Sequence, residues 1–317
     1  MNNKVATREA YGKALAEFGV NEDIIVLDAN LSKSTKTSIF KEKYPERFFN
    51  AGIAEANMVC VAAGLASCGK TVFVSSYAIF IAGRAYEQIR NSICYPEMNV
   101  KIGASHAGIS MGQDGATHQS IEDIAIMRSL PNMKVISPCD EIESYGAVKA
   151  AIDNYGPFYL RFSRYPTRPI FNKNNYEFSL GRGVLLREGV DLTIIATGIM
   201  VEKALEAAGV LSSKGIYAEV INIHTIKPID RQMIIASAQK TGAVLTVEEH
   251  SVIGGLGSAV AEVFAEENPV IMKIIGISDK FGTSGKADEL LELYGLSVDN
   301  IVQQSQSLFA KKIPGQG

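Results

Sequence analysis

Short apolar, β-branched runs alternate with helical patterns along the first half of this chain, and this alternation constrains the fold more than any other feature of the sequence. The runs have strand length, whereas the segments between them repeat apolar residues at helical spacing. The pattern predicts strands at residues 23–29, 47–53, 71–77, 98–104, 133–137 and 157–163. It predicts helices at residues 7–17, 56–67, 83–93, 121–129 and 141–154. This order is typical of an α/β domain with a doubly wound parallel sheet.

The alternation stops at residues 166–182, a segment with two prolines and several asparagines that is typical of an interdomain linker. We therefore expect a first domain at residues 1–165 and a smaller α/β domain at residues 183–317. Asp230 is the predicted N-cap of one helix in the second domain. The pattern there predicts strands at residues 191–196, 218–223, 243–247 and 270–275, and helices at residues 200–214, 230–240, 257–266, 286–293 and 298–309.

Composition limits the classes of partner. The chain has 317 residues, 47% of them apolar, which is enough to bury a core in each of two domains. Its net charge is −3 without any lysine or arginine block, which argues against nucleic acid and anionic membranes as partners. Because the first residues lack a signal-peptide core and no apolar run is long enough to span a bilayer, we expect a cytoplasmic protein. The four cysteines are scattered, and we expect them to be buried free thiols.

Residues 101–123 contain a long polar loop between a predicted strand and a predicted helix. His106 and His118 flank Asp114 in this loop, with glycines and alanines around them. The helix that follows begins with the sequence SIED, and acidic residues are favourable in a first helical turn. Loops of this length in compact domains are uncommon unless they are functional, and parallel sheets bind ligands at the carboxyl ends of their strands. We therefore interpret the loop as part of a binding site.

Other predicted strands also end in polar or aromatic groups. The side chains that follow strand ends include Ser34, Glu55, Tyr77, Phe80, His106, Asp114, His118 and Arg164. Because the carboxyl ends of parallel strands lie at the same edge of a sheet, we expect these side chains to line one ligand crevice. The guanidinium of Arg164 suits a phosphate or a carboxylate, although a solvated linker charge is the alternative. The pattern alone leaves Arg8 ambiguous.

Some residues have two interpretations. Glu55 begins a helix of small and apolar residues. If this helix is buried, withdrawal from water would favour the protonated form of Glu55. The alternative is that its carboxylate only complements the helix dipole. The glycine-rich segment at residues 254–258 could cradle a phosphate, or it could permit tight packing of a helix against a strand. Glu248, Glu249 and His250 are adjacent on a predicted strand, where side chains alternate in direction, so they are not expected to form a metal site.

The chain resembles the transketolase family. The resemblance is carried in the first half by AGIAEANMVCVAAGLA, GRAYEQIRNS, GASHAGISMGQDGATHQSIEDIAIMRSLPNM and FYLRFSR. In the second half it is carried by HTIKPIDRQMI, LTVEEHSVIGGLGSAV and GTSGKADELLELYGL. The match covers nearly the whole chain and corresponds to the C-terminal half of transketolase, as found in split, two-subunit transketolases. It implies a first domain that binds the aminopyrimidine of thiamine diphosphate and a smaller C-terminal domain with a largely structural role.

The resemblance also implies roles for single residues. Glu55 matches the glutamate that hydrogen-bonds the pyrimidine ring nitrogen and so promotes formation of the reactive ylid, after which the ketose C2–C3 bond breaks with the cofactor as electron sink. Asp114 matches the aspartate that reads the stereochemistry of substrate hydroxyls. His118 matches a position near the first carbons of the donor, and with Glu55 and His106 it completes the expected catalytic set. The positions that match holders of the sugar phosphate are Arg8, Ser34, His106 and Arg164.

The aromatic residues of the pocket depart from the family pattern. Counted without a gap from Glu55, the pyrimidine-stacking phenylalanine of the family falls on Ala78. The related deoxyxylulose-phosphate synthase has the string YSTF, which aligns with residues 77–80. We therefore predict that Tyr77 and Phe80 are the cofactor-binding aromatic residues.

A second departure is the absence of a GDG motif with a downstream asparagine, which in the family holds the metal ion and the diphosphate. The nearest string is QDG at residues 113–115, so we expect no metal ligands in this chain. The resemblance then implies a separate N-terminal subunit that carries the GDG motif and the asparagine and holds thiamine diphosphate with Mg2+ or Ca2+. It implies a heterotetramer, with two copies of each chain, that transfers glycolaldehyde units between sugar phosphates of the pentose phosphate pathway.

Three other interpretations share parts of this pattern. The β subunit of a 2-oxoacid dehydrogenase has the same two domains, but its substrates carry no phosphate for Arg8 and Arg164 to hold. The C-terminal half of deoxyxylulose-phosphate synthase normally belongs to a single longer chain. A non-catalytic assembly module would not need Glu55 together with two histidines. The sequence leaves the sugar open, because a sulfonated or branched sugar would suit the same cationic crevice.

Overall fold

Two sheets, one in each half of the chain, form the framework of the computed structural model, which describes residues 4–312. The strands of the first half are β1 (Val5–Ala6), β2 (Ile24–Asp28), β3 (Phe48–Asn50), β4 (Thr71–Tyr77), β5 (Val100–Ser105), β6 (Lys134–Ile136), β7 (Phe158–Arg161) and β8 (Pro166–Thr167). Those of the second half are β9 (Val184–Arg187), β10 (Leu192–Ala196), β11 (Ala218–Asn222), β12 (Thr225–Lys227), β13 (Ala243–Ser251) and β14 (Ile271–Ile277).

Helices connect most of these strands. In the first half they are α1 (Thr7–Phe18), α2 (Ser32–Thr35), α3 (Ser38–Lys43), α4 (Glu55–Ser67), α5 (Ala78–Arg84), α6 (Tyr86–Gln88), α7 (Asp123–Arg128) and α8 (Glu141–Asp153). In the second half they are α9 (Met200–Ser213), α10 (Arg231–Thr241), α11 (Leu256–Glu267), α12 (Ala287–Leu293) and α13 (Val298–Ala310). Short 3-10 turns lie at Pro45–Arg47 and Ile109–Met111, and a π-helical turn lies at Ile89–Cys94.

The first sheet has seven strands in the order β12-β6-β7-β5-β4-β2-β3, and the six strands from the first half run parallel. Successive residues of β2 show why both faces are covered. Ile25 and Leu27 point into a core that contains α4, α5 and α7, whereas Ile24 and Val26 point into a core that contains α1 and α8. The predicted doubly wound parallel α/β fold is therefore confirmed.

The second sheet has five strands in the order β14-β13-β10-β11-β9, and only β9 runs antiparallel to its neighbour. One face packs against α9, α12 and α13, and the other packs against α10 and α11. Asp230 caps α10, because its carboxylate accepts a hydrogen bond from the backbone N–H of Met233 at 3.1 Å. This cap agrees with the sequence-based prediction.

The strand β12 joins the two halves of the chain in a way that the sequence did not predict. It follows the second-half strand β11 in the chain, yet it pairs antiparallel with β6 at the edge of the first sheet. Three residues are too few to produce a periodic signal, and their partner lies about ninety positions away. The main-chain bond from Ser137 N–H to the carbonyl of His224, at 2.8 Å, continues this junction.

The segment at residues 166–182 begins with β8, which pairs with β1, and otherwise contains neither helix nor strand. It lies against the first sheet's helix α8, since Asp140 accepts hydrogen bonds from the backbone N–H groups of Ile170 and Phe171 at 2.7 and 2.9 Å.

Two details correct the sequence-based predictions. The helical segment expected at residues 83–93 already begins at Ala78, directly after β4. The expectation of four buried thiols was wrong, because Cys60 and Cys68 are exposed and only Cys94 and Cys139 are buried. Cys60 lies on the outer face of α4, which periodicity could not identify because that helix is apolar on nearly every side.

None of the helices described for residues 4–312 is long and apolar enough to cross a bilayer.

Candidate active site

Glu55 is the first residue of α4, and its side chain lies beneath the carboxyl end of β4 with only 3% of its surface exposed. Ser76, in β4, donates from Oγ to Glu55 Oε1 at 3.4 Å. The Nη1 atom of Arg84 lies 3.3 Å from Oε1 and 3.4 Å from Oε2 of the same carboxylate. Glu55 is therefore withdrawn from water, and the groups that surround its carboxylate belong to its own domain.

Tyr77 and Phe80 form an aromatic wall next to this carboxylate. Tyr77 ends β4, and Phe80 lies in the first turn of α5, so their rings stack with centroids 5.7 Å apart and an interplanar angle of 18°. The guanidinium of Arg84 covers Phe80 at 4.1 Å from the ring centroid. Ala78 is fully buried in the core between α4 and the sheet, so this residue cannot present a stacking surface.

His106 follows β5 and connects the aromatic wall to a cationic region. Its ring lies 4.0 Å from that of Tyr77, and its Nε2 atom accepts from Arg8 Nη1 at 2.9 Å. Since arginine can only donate, the imidazole carries its proton on Nδ1, which lies 2.8 Å from Ser105 Oγ. Burial, reinforced by the charges of Arg8 and Arg164, lowers the pKa of His106 to about 3, so the ring is neutral at physiological pH.

The same Nη1 atom of Arg8 donates to the main-chain carbonyl of Ser34 at 2.8 Å. Ser34 therefore contributes to the crevice through its backbone oxygen, and the short helix α2 holds that oxygen in place. Burial lowers the pKa of Arg8, and the nearby positive charge of Arg164 adds to this effect. Arg8 and Arg164 both add positive charge to this region, which favours a bound anion that neutralises them.

The long loop contributes the remaining predicted residues. His118 contacts both rings of the aromatic wall edge-on, at 6.3 Å from Tyr77 and 5.1 Å from Phe80. Asp114 lies at the rim of the crevice, where its carboxylate is 3.8 Å from Arg164 Nη1. Both members of that pair are about half exposed, so water screens their attraction and a ligand can compete for either.

The structure thus brings all nine sequence-predicted residues into one crevice at the carboxyl edge of the first sheet. It also places there a residue that the sequence reasoning missed. Arg84 contacts both Glu55 and Phe80, although 52% of its side chain is exposed. Phe80 and Arg84 are neighbours because they lie four positions apart on α5, but the predicted helix begins only at residue 83, so the sequence pattern contained no signal for this contact. Arg84 lies within the GRAYEQIRNS segment.

The glycine-rich segment at residues 254–258 does not leave a helix N-terminus free for a phosphate. The backbone N–H groups of Leu256 and Gly257, at the start of α11, donate to the Glu248 carboxylate at 2.7 and 2.8 Å. Burial raises the pKa of Glu248 to about 7. The tight-packing interpretation of this segment therefore holds, since an internal carboxylate occupies the position that an anion would take.

The neighbouring residues of β13 also have separate partners. Glu249 Oε1 accepts from the backbone N–H of Ser110 at 2.6 Å, and His250 Nε2 accepts from that of Ala125 at 3.3 Å. Both contacts reach across to the first domain. Among the described residues, no group of three or more histidine, cysteine, aspartate or glutamate side chains is placed to hold a metal ion.

The fold and this crevice define an α/β protein with a buried carboxylate, an aromatic wall and a cationic region side by side, a combination that suits a flat heterocycle and an anion. Family models agree with this class. The model for "Transketolase, pyrimidine binding domain" matches residues 3–169, and the model for "Transketolase, C-terminal domain" matches residues 181–301. The chain belongs to the transketolase family.

Individual relatives extend this assignment. The chain is 51% identical to a protein of Methanocaldococcus jannaschii named as a transketolase C-terminal section, with 94% of each chain covered. It is 44% identical to the 6-deoxy-6-sulfo-D-fructose transketolase subunit SqwH of Clostridium sp. strain MSTE9, with 96% of this chain and 95% of that subunit covered. A solved structure described as a split gene transketolase, inactive beta4 tetramer, superposes with a TM-score of 0.90 at 52% identity, covering 98% of this chain and 100% of the other.

These relatives identify the chain as a transketolase-type subunit, in a family of transferases that depend on thiamine diphosphate. The residues of the crevice fit the pyrimidine half of that cofactor. A buried carboxylate can hydrogen-bond a ring nitrogen, and the stacked rings of Tyr77 and Phe80 lie beside it, where they can orient a flat ring.

Proposed function

We propose that this chain is the C-terminal subunit of a two-subunit transketolase that moves a glycolaldehyde unit from a ketose phosphate to an aldose phosphate, as in the pentose phosphate pathway. One observation carries the proposal. An unbroken series of contacts runs from Glu55 through Arg84, the aromatic wall and His106 to Arg8. In this proposal the Glu55 end of the series is the pyrimidine subsite and the Arg8 end is the anion subsite, and the contacts support their adjoining each other.

Each residue has a distinct task in this proposal. Thiamine diphosphate, when bound, supplies the nucleophilic carbon and the electron sink for cleavage of the ketose C2–C3 bond. Glu55 hydrogen-bonds the pyrimidine ring nitrogen, as the matching glutamate does in the family. Tyr77 and Phe80 orient the ring. His118 lies against the same two rings, where it can hydrogen-bond the first hydroxyls of the donor.

The sugar end is held by charge and by a neutral histidine. Arg8 and Arg164 bind the terminal anion, and charge-assisted bonds to such groups are the strong ones. Since the pKa of His106 is about 3, its imidazole acts as a neutral hydrogen-bonding group rather than as a second cation. Asp114 accepts hydrogen bonds from sugar hydroxyls through carboxylate lone pairs that its partly exposed contact with Arg164 leaves accessible.

A second polypeptide completes the site in this proposal. It carries the GDG motif and the downstream asparagine, holds Mg2+ or Ca2+ with the diphosphate, and forms a heterotetramer with two copies of this chain. The subunit name of the sulfofructose relative and the inactive beta4 assembly of the similar structure support this view. So do the exposed apolar side chains of Phe49, Ile53 and Val61 around the start of α4, a region where a partner would exclude water.

The substrate anion is a phosphate in our proposal, and a sulfonate is the main competitor. Both are tetrahedral oxyanions, and the relative with 44% identity is named for a sulfonated ketose. Two cationic guanidinium groups bind either chemistry. Xylulose 5-phosphate and 6-deoxy-6-sulfofructose should therefore be compared as donors in the same assay.

The proposal is tested by reconstitution. The chain is mixed with the GDG-containing chain from the same source, Mg2+, thiamine diphosphate, xylulose 5-phosphate and ribose 5-phosphate. We expect release of glyceraldehyde 3-phosphate only when both chains are present. If the pair consumed pyruvate but no ketose, a 2-oxoacid dehydrogenase would be the correct assignment. If Glu55→Gln left turnover unchanged, the chain would be an assembly module.

A further inference from the structure

The loop that carries His106, Asp114 and His118 is held from outside its own domain. We call residues 106–119 the substrate loop. Its two ends meet where Gly108 N–H donates to the carbonyl of Ser120 at 2.7 Å. Between these ends the loop contains glycines and a single 3-10 turn, so its own secondary structure does little to fix its shape.

We infer that Glu249 and the segment at residues 281–285, both in the second half of the chain, position the substrate loop for sugar binding. The second domain is then part of the substrate-binding machinery rather than only a structural addition. The role in sugar binding rests on the proposed function, whereas the attachment of the loop to the second domain rests on contacts alone.

Glu249 supports the loop from below. It lies on β13 with 3% of its surface exposed, and its Oε1 atom accepts from the Ser110 N–H at 2.6 Å. A Cβ atom added to Gly108 would lie 2.2 Å from Glu249 Cδ, so the carboxyl group fills the space under the loop. Removing it would leave a buried, unpaired N–H and a cavity.

Charged groups of the first domain keep Glu249 in this orientation. Arg161, on β7, donates from Nη2 to the Glu249 carbonyl at 3.0 Å and to the Ser120 carbonyl at 3.3 Å. The same guanidinium pairs with Asp123 at 2.8 Å. One buried arginine therefore ties the base of the substrate loop to the main chain of β13.

The C-terminal end of the substrate loop has a second attachment to the other domain. Gln119 is buried, and its Nε2 atom donates to the carbonyls of Ile109, Gly112 and Thr283 at 3.2, 3.3 and 2.9 Å. The first two bonds close the loop on itself, and the third joins it to the second domain. A Cβ atom at Gly282 would collide with Gln119 Oε1, which shows how closely the 281–285 segment approaches.

Glu143 provides a matched control for Glu249. It is equally buried and also crosses the domain boundary, where it accepts from Asn222 Nδ2 at 2.8 Å. Burial raises the pKa of each of these carboxyl groups to about 7. Glu143 lies on α8 and has no hydrogen bond with the substrate loop among the described residues, so its removal tests the general cost of losing a buried interdomain carboxylate.

The test is hydrogen–deuterium exchange of the full chain, followed at peptides that cover residues 106–119. Glu249→Ala should speed exchange of these peptides by roughly ten-fold or more relative to peptides of the β2 and β4 core, because a buried N–H loses its acceptor. Glu249→Gln should restore protection, since its amide oxygen can accept from Ser110. Glu143→Ala should lower stability without selective exchange in the loop.

A second variant keeps the test decisive if Glu249→Ala does not fold. Gln119→Met retains the length of the side chain and removes its donors, and it should also release residues 106–119 selectively. Unchanged loop protection in either folded variant, or equal loss in Glu143→Ala, would overturn the inference.

Kinetics with the partner subunit separate this inference from the proposed function. Glu249→Ala should raise the KM for the sugar more than it lowers kcat, and Glu143→Ala should leave the KM unchanged. An effect on kcat alone would refute a role in sugar positioning. If the wild-type pair does not turn over ketoses, the proposed function fails while the exchange result still decides whether the second domain holds the loop.

Discussion

The two sheets of this molecule carry similar polar residues at their carboxyl ends but use them differently. At the edge of the first sheet, Glu55, His106 and Arg164 face a crevice, and their partners are side chains that a ligand could replace. At the edge of the second sheet, Glu248 and Glu249 bind backbone N–H groups. Charged residues at strand ends therefore do not define a site by themselves. What distinguishes the first edge is that its polar groups are bound to exchangeable partners.

The largest expected difference between the two edges concerns turnover. Glu55→Gln should lower kcat by roughly 100-fold to 10,000-fold in the reconstituted enzyme, which is the usual contribution of a proton-transfer group. Glu248→Gln, which changes an equally buried glutamate at the second edge, should stay within about two-fold of wild type because it only caps α11. Steady-state assays of both variants check this. Comparable losses of kcat in the two variants would contradict the distinction between the two sheet edges.

The anion subsite should show the next largest effect. Arg8→Met should raise the KM for the sugar phosphate by about 10-fold to 100-fold, because a charge-assisted hydrogen bond is worth about 1.5–3 kcal/mol. Lys273→Met, at an exposed position of β14, is the control and should change nothing. Initial rates over a range of donor concentrations separate KM from kcat. A KM unchanged in Arg8→Met would place the phosphate elsewhere.

A pH titration sharpens the same comparison through stability. Burial raises the pKa of Glu248 to about 7, so the folded state keeps a proton that the unfolded state loses near pH 4.5. As the pH rises from about 5 to 7, this difference in proton binding lowers the free energy of unfolding by about 2 kcal/mol. Glu248→Gln cannot titrate at this position. The difference between its free energy of unfolding and that of wild type should therefore shift in favour of the variant as the pH rises through this window, and it should stay constant at higher pH. Urea unfolding at several pH values measures the difference, and a constant gap would refute the assignment.

The smallest effect separates two glycines. Gly108→Ala should destabilise the chain by about 1–2 kcal/mol, because Gly108 has a φ of +83° and its new methyl would press on the Glu249 carboxylate. Gly209→Ala, inside α9 with nothing within 4 Å, should stabilise it by about 0.5–1 kcal/mol. Thermal unfolding of both variants shows whether they move in opposite directions. Equal shifts would mean that the contact below the loop is not tight.

Periodicity predicted the framework of the fold because each sheet is built from local signals. The predicted strand at residues 71–77 has the same bounds as β4, and one side chain is enough to predict the Asp230 cap. The convergence of Tyr77, His106 and Arg164 also followed from a local argument, since parallel strands end at one edge. These predictions needed only the order of strands along the chain.

Features that depend on distant contacts could not be obtained in the same way. The bond from Glu249 to Ser110 joins residues 139 positions apart, and the strand at Thr225–Lys227 pairs with a strand of the other domain. No periodicity reports such pairings. The contact of Arg84 with Glu55 required the observation that α5 begins at Ala78, five residues before the predicted start. Family resemblance supplied roles but not these contacts.

Cofactor binding tests most directly the claim that this chain holds the pyrimidine and sugar halves of a shared active site. Isothermal titration of thiamine diphosphate with Mg2+ should give no measurable heat with the chain alone and tight binding when the GDG-containing chain is added. Tight binding by the isolated chain, accompanied by turnover of xylulose 5-phosphate, would contradict the account.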